Sequence, residues 1–137
     1  MLRSSQENIS GGKRIVVIDR SKTIQIILYT CLRNAGHLVH TYNTPQEALH
    51  ALTVIQDFVP DLIFLCVGYE QSAYDFISYV KSQTTYAHTR LVAMVLQEEK
   101  ARIQRTLNWS SVSYLVKPFE IQQALALVSA PASESTP

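Results

Sequence analysis

An α/β fold built on a parallel sheet is predicted by three features of this sequence. Short apolar runs such as Arg14-Ile-Val-Val-Ile18 and Leu62-Ile-Phe-Leu-Cys66 lack polar alternation, as expected of strands buried on both faces. These runs alternate with helix-length segments that carry their own start and stop signals. At 137 residues and 47% hydrophobic content, the chain suffices for one well-buried core and is too short for two ordinary domains.

The elements follow in order. After the first strand, Ser21 caps a helix that continues to Asn34, and Gly36 just beyond it is a stop signal. Within this helix Ile24, Ile27, Leu28, Cys31 and Leu32 form a core stripe, which leaves Ile26, Tyr29 and Arg33 on a second flank as a candidate interface. His37 to Tyr42 is the second strand. Thr44-Pro45-Gln46-Glu47 reads as a capping box with proline at the first helical position, so the next helix starts there and runs to about Gln56. Asp57 to Asp61 is a loop, Leu62 to Cys66 the third strand, and Ala73 to Ser82 a helix with Phe76, Ile77 and Val80 inward. Leu91 to Leu96 is the fourth strand. Gln97 to Leu107 is an exposed helix in which Glu98 and Arg102 are spaced for an i,i+4 pair, with Ala101, Ile103 and Leu107 as its apolar contacts. Val112 to Val116 is the fifth strand and Glu120 to Ser129 the last helix. Five strands alternating with five helices imply right-handed βαβ crossovers and a sheet covered on both faces. Residues 1–12 are expected to be a flexible segment, 13–129 one domain, and 130–137 a disordered tail or the stump of a linker.

Composition excludes several functions. Twelve Lys and Arg against 11 Asp and Glu give none of the basic excess that binding a phosphate backbone needs, so nucleic acid is not expected as a direct partner. No apolar run approaches the roughly 18 to 20 residues of a membrane span, and the polar start lacks the apolar stretch of a signal peptide. A cytoplasmic location without membrane contact is expected. Cys31 and Cys66 lie on different elements without a CxxC spacing, and His37, His40, His50 and His88 are scattered without ligand-like spacing. Neither a disulfide nor a metal site is expected.

Three strand ends carry the remaining information: Ile18-Asp19-Arg20-Ser21, Leu65-Cys66, and Tyr114-Leu115-Val116-Lys117-Pro118-Phe119. From about Lys13 to Val128 the chain resembles response-regulator receiver domains, most closely stand-alone receivers of the chemotaxis and twitching-motility type. The resemblance implies a flavodoxin-like (βα)5 fold, a three-layer sandwich with strand order 2-1-3-4-5. In such sheets ligands gather outside the carboxyl ends of the strands, here those of strands one, three and five. In the family the first strand ends in two acids, the third in the phosphoacceptor aspartate, the fourth in Thr or Ser, and the fifth leads into Lys-Pro. By this resemblance Asp19 keeps the first acid, Arg20 replaces the second, Cys66 replaces the phosphoacceptor, Val95 replaces the hydroxyl residue, and Lys117-Pro118 is intact.

Phosphoryl transfer to a receiver needs a carboxylate nucleophile and magnesium held by oxygen ligands. One carboxylate survives here, a thiol is a poor ligand for a hard cation, and Arg20 is expected to set a permanent charge at the metal position. The resemblance therefore implies a degenerate pseudo-receiver: a non-enzymatic protein without cofactor that works by docking to a signalling protein such as a histidine kinase, another regulator or an output domain, with homodimerisation as a further option. Its output face would include Arg102, Arg105, Trp109, Tyr114 and Glu120. Three alternatives stand beside it. One is phosphorylation on Asp19 or Glu70. Another is a thiol sensor at Cys66, whose neighbours Lys117 and Arg20 are expected to favour thiolate. The third, a flavin-binding flavodoxin, is opposed by the glycine-free Arg20-Ser21-Lys22-Thr23 turn.

Overall fold

The structure is a computed structural model that describes residues 11–55, 58–108 and 111–130. Five parallel strands, β1 (Arg14–Ile18), β2 (Leu38–Tyr42), β3 (Leu62–Cys66), β4 (Arg90–Leu96) and β5 (Val112–Lys117), form one sheet in the order β2-β1-β3-β4-β5. The helices are α1 (Lys22–Asn34), α2 (Pro45–His50, continued by a π turn over Ala51–Ile55), α3 (Gln71–Ser82), α4 (Lys100–Leu107) and α5 (Ile121–Ser129). The flavodoxin-like (βα)5 fold and its strand order are as the sequence implied.

The sheet separates two apolar layers because successive side chains leave a strand on opposite faces. Ile15, Val17, Leu62, Phe64, Val92 and Met94 point toward Leu28 and Leu32 of α1 and Ala124 and Val128 of α5. Val16, Ile18, Ile63, Leu65, Ala93 and Val95 point toward Ala48 and Leu52 on the α2 side, Phe76, Ile77 and Val80 of α3, and Ile103 and Leu107 of α4. Both faces are covered, so the strands need no polar alternation.

Capping sets most helix starts. The Ser21 side chain accepts from the Ile24 amide at 3.3 Å, and α1 stops before Gly36, whose φ of +98° is a conformation that suits a residue without Cβ. Thr44 accepts from the Glu47 amide at 3.1 Å, but the Glu47 carboxylate takes the Asn43 amide at 3.0 Å. The reciprocal bond of the capping box thus lands one residue upstream of the cap. At α5 the box is complete, with Gln123 accepting from the Glu120 amide at 2.7 Å.

Three local expectations are corrected. Ile27 is 38% exposed, and the buried stripe of α1 runs through Gln25, Leu28 and Leu32; a polar side chain takes the third core-facing position because it has buried acceptors to reach. The α4 region opens with a 3₁₀ turn over Gln97–Glu99, which shifts the phase of the helix. Arg102 therefore pairs with Glu99 at 3.7 Å and not with Glu98, and Ala101 faces solvent while Ile103 and Leu107 are buried. The expectations for residues 1–10, 131–137, Gln56, Asp57 and Trp109 lie outside the described residues.

Candidate functional site

At the carboxyl edge of the sheet, β1, β3 and β5 deliver Asp19, Cys66 and Lys117 to one place. Asp19 directly follows β1, and its amide still donates to the Tyr42 carbonyl of β2 at 3.1 Å, so its backbone is fixed by the sheet. The side chain is only 4% exposed. One carboxylate oxygen accepts from the Ser21 amide at 2.9 Å, the other from Lys117 Nζ at 2.6 Å. Lys117 Nζ also lies 3.4 Å from Cys66 Sγ. Gln25 completes the cluster from α1, donating to the Asp19 carbonyl at 2.6 Å and to Asn43 Oδ1 at 2.8 Å.

The electrostatics follow from this packing. Burial alone would lower the Lys117 pKa, but the hydrogen bond to Asp19 and the charge of that carboxylate outweigh it and hold the pKa of the ammonium above its ordinary value. Burial pushes the Cys66 thiol up and Asp19 adds to this, with Lys117 opposing both. The expectation that Cys66 would be drawn toward thiolate is therefore corrected: the nearby cation is already committed to a carboxylate.

Arg20 and Val95 do not join this cluster. Arg20 turns outward to Glu70, Nε to Oε2 3.8 Å, with 65% of its side chain exposed. Arg20 therefore stands at the rim of the pocket, beside Glu70. Val95 is 1% exposed and packs in the layer that faces α3 and α4. Between Arg20 and the β3–α3 loop opens a cleft of about 340 Å³ lined by Ile18, Asn43, Cys66, Gly68, Tyr69 and Glu70 among others.

The donor set does not fit magnesium. Both Asp19 oxygens are engaged, one by an ammonium; Cys66 offers a soft sulfur; and Arg20 adds a cation at the rim. Among the described residues no group of three His, Cys, Asp or Glu side chains is placed to hold a metal ion.

Arg102, an expected output residue, is tied to the β3–α3 loop. Its guanidinium lies 3.9 Å over the Tyr69 ring and 3.5 Å from both the Tyr74 hydroxyl and the Gly68 carbonyl. Tyr74 donates to the same carbonyl at 2.7 Å. Tyr114 is half-buried against the core, its hydroxyl pKa pushed up by burial and by Tyr74. Arg105 is exposed, and Glu120 serves as the N-cap of α5. Sequence reading missed Gln25, Asn43 and the Tyr69–Tyr74–Arg102 group. Only Gln25 left a signal, since it falls three and seven residues before Leu28 and Leu32.

Comparison with known proteins places this geometry. The structure superposes on the chemotaxis protein CheY4 of Vibrio cholerae with a TM-score of 0.71 at 23% identity, covering 86% of this chain and 97% of that one. The fold is that of response-regulator receivers. A receiver protein from Burkholderia phymatum matches with a TM-score of 0.73 at 20% identity over 88% of this chain and 95% of that one. A two-component response regulator from Clostridium difficile gives 0.70 at 25% identity, covering 85% and 92%. In sequence the chain is 28% identical over 137 residues to protein PilG of Pseudomonas aeruginosa, with 96% of each covered. No protein-family model matches. On the receiver frame, Asp19, Cys66 and Lys117 occupy the carboxyl ends of β1, β3 and β5, where ligand chemistry gathers in open parallel sheets.

The thiol can be tested directly. In a Cys31→Ser background, alkylation of Cys66 by iodoacetamide is expected to rise with pH through a midpoint above that of free cysteine, and Asp19→Asn should lower that midpoint by removing a charge that opposes thiolate. A wild-type midpoint below that of free cysteine would restore the thiol-sensor reading.

Proposed function

We propose that this chain is a receiver-fold signalling adaptor that does not accept a phosphoryl group and acts by docking to another protein of a two-component pathway. The observation that carries this reading is the end of β3: a thiol stands where the family keeps its acceptor carboxylate, and the neighbouring lysine is bonded to Asp19 at 2.6 Å. Phosphorylation on another acid is poorly supported, because Asp19 is buried with both oxygens bonded and Glu70 is a surface side chain set against Arg20. Residues 13–129 form the receiver unit in this reading. It is a binding module and not an enzyme, cytoplasmic, with a kinase, regulator or output domain as partner. Among the described residues no helix is long and apolar enough to cross a membrane.

Acetyl phosphate with magnesium should leave the intact mass unchanged, and beryllofluoride should leave the amide spectrum unchanged. Millimolar magnesium should not raise the melting temperature, since only a ligand of the native state stabilises it. A mass gain of one phosphoryl group, or a saturable thermal shift, contradicts the proposal.

A further inference from the structure

Helix α1 carries a surface stripe that lies outside the core and touches the strand-end cluster only through the bond of Lys22 to Asn43. Lys22, Ile26, Tyr29 and Arg33 are spaced by four, three and four residues, which aligns them along one side of the helix with the repeat of a coiled-coil seam. All four are exposed, Ile26 at 63% and Tyr29 at 41%. A shallow groove of about 260 Å³ opens beside the apolar pair, between α1 and Thr41 of β2.

The two cations are held in place without being neutralised. Lys22 Nζ donates to Asn43 Oδ1 at 2.7 Å, a neutral amide, and the Arg33 guanidinium lies 5.6 Å over the Tyr29 ring with a 3.4 Å contact to its hydroxyl. Neither residue belongs to an ion pair among the described residues, and α1 contains no acid. The stripe is thus an apolar centre with a positive charge at each end.

That pattern selects its occupant. Two copies of the stripe packed parallel would set Lys22 on Lys22 and Arg33 on Arg33; packed antiparallel, they would set Lys22 on Arg33. Like charges meet in both cases, so a second copy is disfavoured. We infer that the Lys22–Ile26–Tyr29–Arg33 stripe of α1 docks an amphipathic partner helix that presents two aliphatic residues bracketed by acids at the same four-three-four spacing. The inference rests on the reading of the protein as a docking module, and it names the face and the chemistry of what docks there.

The probe is a stapled helical peptide with the pattern Glu-xxx-Leu-xx-Leu-xxx-Glu, compared with a twin carrying Lys at both Glu positions. Titrated into the full ¹⁵N-labelled chain at low salt, the acidic peptide is expected to shift α1 amides and to bind about tenfold more tightly than the basic one, a preference that salt erodes. Lys22→Glu/Arg33→Glu should invert the preference. Ile26→Ala/Tyr29→Ala should weaken both peptides while leaving the circular dichroism spectrum unchanged. Equal affinity for the two peptides, no shift in α1, or a dimer in sedimentation that Ile26→Glu/Tyr29→Glu dissolves would each overturn the inference. A phosphorylated chain that still prefers the acidic peptide would remove the functional reading and leave this surface standing. An unphosphorylated chain with no preference would do the reverse.

Discussion

Lys117→Met is expected to cost the fold about 3–5 kcal/mol, the range for removing one partner of a buried ion pair. The magnitude comes from what is left behind. Asp19 is 4% exposed and would keep only the Ser21 amide for a full negative charge largely shut off from water. Asp19→Asn/Lys117→Met should recover a large part of the loss, because a neutral amide can still accept from Ser21 and the methionine stem fills the space of the lysine. The pair as a whole is therefore expected to contribute less than either single change suggests. Its pH dependence has a definite sign. The Lys117 pKa is raised in the fold, so its contribution is complete below the unfolded lysine value and is lost only as pH climbs through the folded one. Between about pH 6 and 9 the cost of Lys117→Met, read by urea unfolding, should be flat. A loss under about 1 kcal/mol would show that solvent screens the pair.

Much of this fold was legible because the strands are buried on both faces and the helices carry local punctuation. Ser21, Thr44-Pro45 and Gly36 act through backbone bonds to residues three or four positions away, and such signals survive in a one-dimensional reading. What was lost depends on phase. One 3₁₀ turn before α4 moved the Arg102 partner from Glu98 to Glu99, and a small rotation of α1 exchanged Ile27 for Gln25 at the core. Periodicity fixes which residues share a stripe less sharply than it fixes that a stripe exists.

The site divides along the same line. Asp19, Cys66 and Lys117 each end a strand, and parallel topology brings strand ends together whatever their identity. The outward turn of Arg20 was not legible, because it depends on Glu70 arriving from a loop fifty residues away in sequence. The same holds for the Gly68 carbonyl, which is taken by Tyr74 and approached by Arg102. Nothing in the spacing of those three residues announces that α4 and the β3–α3 loop are tied.

Restoring the acceptor carboxylate alone is expected to restore nothing: Cys66→Asp should show no phosphoryl gain with acetyl phosphate and magnesium, by intact mass. The new carboxylate would meet Lys117 Nζ, which lies 3.4 Å from the sulfur it replaces, while the neighbouring Asp19 carboxylate is already bonded to that lysine. Magnesium needs several oxygen ligands, and at the position of the missing second acid the chain supplies a cation that turns to the rim and repels the metal. Arg20→Asp/Cys66→Asp/Val95→Thr supplies two acids at the strand ends and a hydroxyl that the place of Val95 in the layer facing α3 and α4 keeps off the pocket, so the two acids carry the expected gain of one phosphoryl group per chain. Its cost lies at Val95, which is 1% exposed, so an unsatisfied hydroxyl there would remove about 1–3 kcal/mol. Circular dichroism must therefore show the triple variant folded before its mass is read. Efficient phosphorylation of the single variant would mean that Arg20 blocks nothing and that Cys66 alone silences the pocket. A folded triple variant that stays unmodified would place the further obstacle in the β3–α3 loop, which Tyr74 and Arg102 tie down at the Gly68 carbonyl.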